Sequence, residues 1–398
     1  MTQRTVIVTD GEQRAALAVV RSLGAAGYRC IVTSSSRASI AGGSRFVTRA
    51  VNVPNALERP TEFADAIVGL VAAESAAVVL PIAEQSLLAI LPVRARLSPA
   101  IIPFPDLASF RALTDKERLL EEAAKLGIAI PAQEVVRDAD ALASLDLSKL
   151  HYPIVLKPAR SVSQRAGVRS KFSVSYACDA SDLERKVRAL PPAAFPLLLQ
   201  QRVVGPGTGI FLLLWEQKLE AQFAHQRLSE KPPSGGVSVY CESVAIDEEL
   251  RDRSRALLDR FGWRGVAMVE YKRDSATGQP YLMEVNGRFW GSLQLAIDSG
   301  VDFPRILVGC ALGEHTQEIP TYRVGVRSRW WWGQVDHLVG RVKRLATTDP
   351  LPPNTRSASR AFGDLLFGPL RRADYEEVLR WTDPGPFWNE TIRWFAGR

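Results

Sequence analysis

Gly265–Ser292 reads GVAMVEYKRDSATGQPYLMEVNGRFWGS, two short apolar strands joined by a turn. Val266–Tyr271 is apolar and β-branched and holds Glu270. Asp274–Pro280 supplies Asp, Ser, Gly and Pro, residues that favour turns. Tyr281–Val285 returns and carries Glu284. Side chains alternate along a strand, so Glu284 and Asn286 share a face. If the two strands are antiparallel neighbours, Glu270 sits beside that pair. Two carboxylates and an amide oxygen then meet at one point, a donor set suited to Mg²⁺ or Mn²⁺ rather than zinc. Arg288 follows as a fixed cation for phosphate or carboxylate. The competing reading is a pair of solvated surface carboxylates. The cost of unpaired charge inside apolar strands argues against it.

The chain has 398 residues, 46% hydrophobic and 23% charged, which places it among globular proteins with two or three packed domains. Its formal net charge of +7 suits anionic small molecules or a weakly anionic surface. There is no dense Lys/Arg run with interleaved aromatics, so a nucleic-acid partner is not expected. Cys30, Cys178, Cys241 and Cys310 are widely spaced with no CxxC pair, which points to a reducing compartment and away from a zinc site or disulfide framework. The first residues enter a strand directly, and no stretch of about 18 apolar residues exists for a membrane span. The expected location is cytoplasmic.

Thr5–Thr9 reads as a buried strand, Glu12–Ala26 as a helix that Asp10 can cap, and Arg29–Thr33 as a second strand. This is a Rossmann-like opening. The turn TDGEQRAA lacks GxGxxG, so a dinucleotide site is disfavoured. Ala76–Ile82 is a further strand, Glu84 to about Arg96 a helix, and Ile101–Phe104 closes the unit before a linker near Pro103–Asp106.

Asp115–Leu126 reads as a helix ended by Gly127. Lys116 in its first turn opposes the helix dipole, which makes sense if it faces a phosphate; alone, a solvated lysine is the simpler reading. YPIVLKP (Tyr152–Pro158) is a strand whose Lys157 must find an anion or reach water. Ala159–Gly167 is a polar loop able to close over phosphates. Leu197–Val204 is a strand running into Gly205-Pro206-Gly207, and Phe211–Trp215 with Lys218–His225 forms a hairpin. His225 and Arg227 precede the loop SEKPPSGG, whose Ser234, Gly235 and Gly236 offer backbone N–H groups to an anion; a plain connector is the alternative.

In chain order these pieces are Asp115-Lys116 before a GI..P turn, YPIVLKP, QQRVVG at 200–205, HQRLSEKPPSGG at 225–236, Val269-Glu270, and MEVNGR at 283–288. The ordered set resembles the ATP-grasp superfamily, most closely the carboxylate–amine ligase group related to the carbamoyl-phosphate synthase large chain. The resemblance covers about residues 1–315. It implies an α/β chain: a Rossmann-like preATP-grasp domain (1–105), a two-lobed ATP-grasp α+β domain (106–315) and a Trp-rich C-terminal extension (316–398). It implies that Lys116 and Lys157 contact the phosphates of ATP, and that Gln200, Gln201 and the Val203 backbone hold the adenine edge. Glu270, Glu284 and Asn286 would hold two Mg²⁺ ions, or Mn²⁺. Arg288 would steady an acyl phosphate or tetrahedral intermediate, and His225, Arg227 and Ser234–Gly236 would line the γ-phosphate and substrate side. The pattern departs from the family at Gly207-Thr208, where an acidic residue often meets the ribose, and in the glycine-poor Ser161–Gly167 loop.

The tail changes character. YRVGVRSRWWWG (Tyr322–Gly333) is basic and aromatic, Val335–Leu345 is an amphipathic helix candidate, and Asp374–Trp381 reads as helical. The favoured reading is a tail packed on the preceding domain, ahead of a membrane-surface contact. The function implied is ATP-dependent joining of a small-molecule carboxylate to an amine. The alternative is a nucleotide-binding, non-catalytic component of polysaccharide or envelope biosynthesis. A homodimer is the default assembly.

Overall fold

The computed structural model describes residues 4–165, 168–233, 235–315, 318–344, 357–367, 371 and 373–397. Its first sheet is parallel, with strands β1 (Thr5–Val8), β2 (Arg29–Ser34), β3 (Val47–Asn52) and β4 (Val78–Leu80) in the order β3-β2-β1-β4. Both faces of a parallel sheet are covered, so its strands read as continuous apolar runs. Val6, Ile7, Val8 and Val78–Leu80 are accordingly inaccessible to solvent. Helices Arg14–Ala25 and Pro60–Glu74 make two of the crossovers. Ile101–Phe104, which closes the unit, makes a single bridge from Ile101 to Val78, because Pro103 and Pro105 have no N–H to donate to a ladder. Asp10 does not cap the helix after β1. It turns to the next βα junction, where its carboxylate accepts from the Ala83 N–H (3.0 Å) and the Ser86 hydroxyl (2.6 Å) at the start of helix Glu84–Ile90.

A small antiparallel sheet follows, in the order β5-β10-β6-β9, from β5 (Gln133–Val136), β6 (Ile154–Pro158), β9 (Ser175–Ala177) and β10 (Leu197–Gln201). Between β6 and β9 lies a separate hairpin of β7 (Val162–Arg165) and β8 (Val168–Lys171). The segment expected to be loop over Ala159–Gly167 is thus partly strand. The period of two sets what each face does. Ile154, Leu156, Leu197 and Leu199 pack with Leu183 and Val187 into a core of their own, while Val155, Lys157 and Gln200 face a cleft.

The opposite wall of the cleft is a seven-stranded sheet in the order β15-β14-β11-β12-β13-β16-β17. Its strands are β11 (Gly207–Trp215), β12 (Lys218–Lys231), β13 (Val237–Ser243), β14 (Gly265–Arg273), β15 (Pro280–Asn286), β16 (Arg327–Arg329) and β17 (Asp374–Glu376). The SEKPP stretch is shorter as a loop than its composition suggests, because β12 runs on to Lys231. Helices Leu293–Ser299 and Phe303–Ala311 back this sheet and join its core to that of the first sheet.

The described parts of the tail pack on one another and on the first domain. Within the tail, Trp330 Nε1 donates to Glu390 (2.7 Å), Trp332 Nε1 to Thr391 (2.9 Å) and Trp394 Nε1 to Asp336 (2.9 Å). Buried Arg21 from the first helix meets Asp383 at 2.8 Å and the Glu377 and Val378 carbonyls. Asp374–Trp381 is not a helix. The edge of β16 offers β17 a ladder, and Glu376 and Glu377 are drawn to the buried arginines Arg329 and Arg14. Among the described residues no helix is long and apolar enough to cross a membrane.

Candidate active site

The cleft between the small and the large sheet is a cavity of about 660 Å³, large enough for a ligand of cofactor size. One wall is Val155, Lys157, Tyr176 and Gln200; the other includes Met268, Glu270, Met283 and Glu284. The hairpin at the centre pairs as its sequence requires. β14 and β15 are antiparallel, and Glu270 stands directly opposite Glu284.

Around these two carboxylates the cations are ordered. Lys157 reaches across the cleft from β6, donates to the Met283 carbonyl at 2.7 Å and stands 3.9 Å from Glu284. Lys116 lies 3.8 Å from the same carboxylate and donates to Ser161 at 2.9 Å. Asn286 Nδ2 donates to Glu284 (3.2 Å), and Arg288 Nη2 donates to Asn286 Oδ1 (3.1 Å). Burial pushes the Glu284 carboxyl up, but Lys157 and Lys116 outweigh it and bring it to about 2. Burial pulls the Lys157 ammonium below its usual range, opposed by Glu284. Glu284 is therefore an anion held by cations, ready to share its oxygens with a metal.

Glu270 has a different partner. Arg227 Nη2 donates to it at 2.6 Å, and Nη1 to Glu230 (2.9 Å) and to the Gly236 carbonyl (3.0 Å). Arg227 is on β12 and Glu270 on β14, with β11 between them. The guanidinium has to cross a whole strand, so that strand must be bare where it passes. Gly207 supplies this: a Cβ there would sit 3.0 Å from Arg227 Cδ, whereas one on Gly209 would meet the Phe211 ring at 2.6 Å and His225 Cδ2 at 3.2 Å. Glycines inside a strand mark such close approaches. Burial pushes Glu270 up, and Arg227 holds it back. The donor set of Glu270, Glu284 and Asn286 is all oxygen, half-buried and convergent, which fits a hard divalent cation.

Residues 196–333 match the family described as ATP-grasp in the biosynthetic pathway with Ter operon. Solved structures extend the likeness along the chain. An L-amino acid ligase from Bacillus licheniformis is 19% identical, with 80% of this chain and 75% of that one covered and a TM-score of 0.61. The ADP complex of PurK, an N5-carboxyaminoimidazole ribonucleotide synthetase, is 14% identical over 92% of this chain and 98% of that one, with a TM-score of 0.64. The ADP-complexed N5-carboxyaminoimidazole synthetase from Staphylococcus aureus is 13% identical over 80% of each chain, with a TM-score of 0.61. Over most of its length the chain shares the fold of these solved structures, and over residues 196–333 it matches the ATP-grasp family model. No protein of curated function matches the sequence.

Within this fold most of the residues singled out from sequence converge. Lys157, Gln200, Gln201, Val203, Arg227, Gly235, Gly236, Glu270, Glu284, Asn286 and Arg288 all line the large cavity. Lys116 lines a narrow gap beside it, with Glu284, Asn286 and Arg288. Three expectations change. His225 does not reach the cavity: it is fully buried, 4.7 Å from the Phe211 ring, and its Nδ1 lies 3.3 Å from Ser292, which does line it. Burial, then the Arg227 charge, holds His225 neutral, well below its usual range. The Gly235 N–H is committed to the Pro232 carbonyl at 3.1 Å and is not offered to an anion. The Gln200 amide donates to Gln133 at 2.9 Å, within its own sheet. Ser234 lies outside the described residues.

Sequence reasoning missed Glu84, which lines the gap with Lys116. Burial pushes its carboxyl up, against the nearby charges of Lys116 and Arg288. The signal was available: Glu84 follows the carboxyl end of a parallel strand, where ligands gather in α/β sheets.

Proposed function

We propose that the protein is an ATP-dependent ligase that activates a carboxylate as an acyl phosphate and transfers the acyl group to an amine, releasing ADP and phosphate. A carboxylate resists amine attack because oxide is a poor leaving group. Its oxygen first displaces ADP from the γ-phosphorus of ATP. The amine then adds to the carbonyl carbon, loses a proton, and expels phosphate. Catalysis of this kind is positioning and charge neutralisation.

The observation that carries the reading is the cross-strand pair Glu270 and Glu284 at one end of the cavity, ringed by Lys116, Lys157, Asn286 and Arg288. The adenine end lies between the small sheet at Gln200–Val203 and Met268 of the large one. Lys157 and Lys116 hold the phosphates. Arg288, oriented by Asn286 and by the Phe289 carbonyl at 3.0 Å, receives the charge that grows on the acyl phosphate. Magnesium, held by Glu270, Glu284 and Asn286, would neutralise the β- and γ-phosphate oxygens. Arg227 opposes the upward push of burial on Glu270 and fixes the loop through Gly236.

The test is incubation with Mg-ATP and pooled amino acids while ADP is measured. ADP release that depends on the pool and is lost in Glu284→Ala supports the reading. Equal release by wild type and Glu284→Ala, whatever the acceptor, contradicts it.

A further inference from the structure

A second cavity, of about 540 Å³, opens beside the Lys116–Ser161 contact. Its charged wall is Arg111, Arg118, Arg160 and Arg169, with Glu84 and Asp115. Asp115 is taken by Arg160 at 2.8 Å. Arg111 and Arg118 come from two consecutive helices, Leu107–Thr114 and Lys116–Lys125, and both are exposed to the cavity. Arg169 comes from the hairpin β7–β8. It donates to the carbonyls of Leu88 (3.2 Å), Ala56 and Gln85 (both 3.4 Å), which pins the hairpin to the first domain and closes that side. Burial and the Arg111 charge both disfavour the charged form of Arg169. Guanidinium groups gathered round one cavity repel one another unless an anion comes between them.

The cavity adjoins the nucleotide cleft across a narrow gap, which shares Glu84 and Thr114 with the arginine cavity, and Glu284, Asn286 and Arg288 with the large one. The gap itself has a volume of about 10 Å³, room for about one water, and it separates the two cavities.

The geometry points to the arginine cavity as the binding site of a small molecule that carries two or more anionic groups, carboxylate or phosphate. Arg111 and Arg118 take the anionic groups in the two-pronged geometry that guanidinium makes with carboxylate or phosphate. The hairpin β7–β8 is one wall of this site. The anion site does not rest on the ligase reading.

The test uses tricarballylate and butyrate as probes, by calorimetric titration of the full chain saturated with Mg–AMP-PNP so that the phosphate subsites are filled. Wild type is expected to bind tricarballylate about tenfold or more tightly than butyrate, and Arg111→Gln and Arg118→Gln each to lose most of that preference, the effect of one charge-assisted contact. Arg137→Gln, whose partner Glu117 lies outside the cavity, keeps it. Replacing the carboxylate groups with phosphates distinguishes the two anion chemistries. Equal binding of the two probes, or a preference that survives in the Arg111→Gln/Arg118→Gln double variant, overturns the site. Failure of Mg–AMP-PNP to bind counts against the ligase reading alone, and the arginine dependence of tricarballylate binding still decides the anion site.

Discussion

Replacing Arg227 by Met removes the cation that crosses β11 to reach Glu270. In the native protein that guanidinium makes partly buried contacts of 2.6 Å to Glu270 and 2.9 Å to Glu230, and a more exposed one of 3.0 Å to the Gly236 carbonyl. Met keeps an unbranched apolar stem beside Gly207 and carries no charge, so the loss is chiefly electrostatic. Glu270 is left buried opposite Glu284, and breaking a buried pair from one side costs roughly 3–5 kcal/mol. Over 398 residues, at roughly 2.1 cal/mol/K each, that is a fall of about 4–6 °C in the melting midpoint. Scanning calorimetry of Arg227→Met, Glu270→Gln and the double variant reads this directly. The amide in Glu270→Gln needs no cation, so the double variant is expected to melt above Arg227→Met, with a coupling of about 1–3 kcal/mol. An Arg227→Met midpoint within about 1 °C of wild type, or a double variant no better than the single, refutes the idea that Arg227 exists to balance Glu270.

Lys157→Met is expected to weaken ATP binding about tenfold or more, as loss of a charged phosphate contact does, while destabilising less than Arg227→Met because Lys116 remains beside Glu284; nucleotide titration and melting together check it. His225→Leu is expected to leave nucleotide affinity within about twofold, since the ring lines no cavity and touches it only through Ser292; a loss as large as that of Lys157→Met would put His225 back in the site. Glu390 is buried in the tail, and burial raises its carboxyl from 4.5 to about 7, against the Trp330 Nε1 donor. The folded protein therefore binds more protons than the unfolded one between those values, and stability falls as pH rises through that window. Glu390→Gln keeps an acceptor for Trp330 and removes the charge, so it is expected to melt above wild type at pH 8, by up to roughly 3 kcal/mol, with the difference vanishing near pH 4; equal midpoints at pH 8 contradict it.

The parts of the site that sequence made legible are those carried by local periodicity. Glu270, Glu284 and Asn286 lie on two adjacent strands joined by a short turn, so alternation alone brings them together. Lys157 was visible because a lysine in an apolar strand needs a partner. What could not be read depended on sheet order and on packing between distant segments. Arg227 and Glu270 meet only because β11 separates β12 from β14 and is glycine where the side chain crosses. His225 shares a strand face with Arg227, which made both look like cleft residues; the packing of Phe211 and Ser292 over the ring decides otherwise. Glu84 and Arg111 come from separate helices, and no sequence period links them to Glu284. The strand at β17 was misread as helix because its partner β16 lies 45 residues earlier, beyond any local pattern.

The proposed acyl phosphate has one consequence that other ATP-driven reactions do not share: an oxygen of the carboxylate leaves with the phosphate. A pool of amino acids and dicarboxylates labelled with ¹⁸O in the carboxyl groups, incubated with the protein and Mg-ATP, tests this by mass spectrometry of the released phosphate. The expected result is one ¹⁸O per phosphate, formed in step with ADP and abolished in Glu284→Ala. Carboxylate-dependent ADP release with unlabelled phosphate would contradict the account.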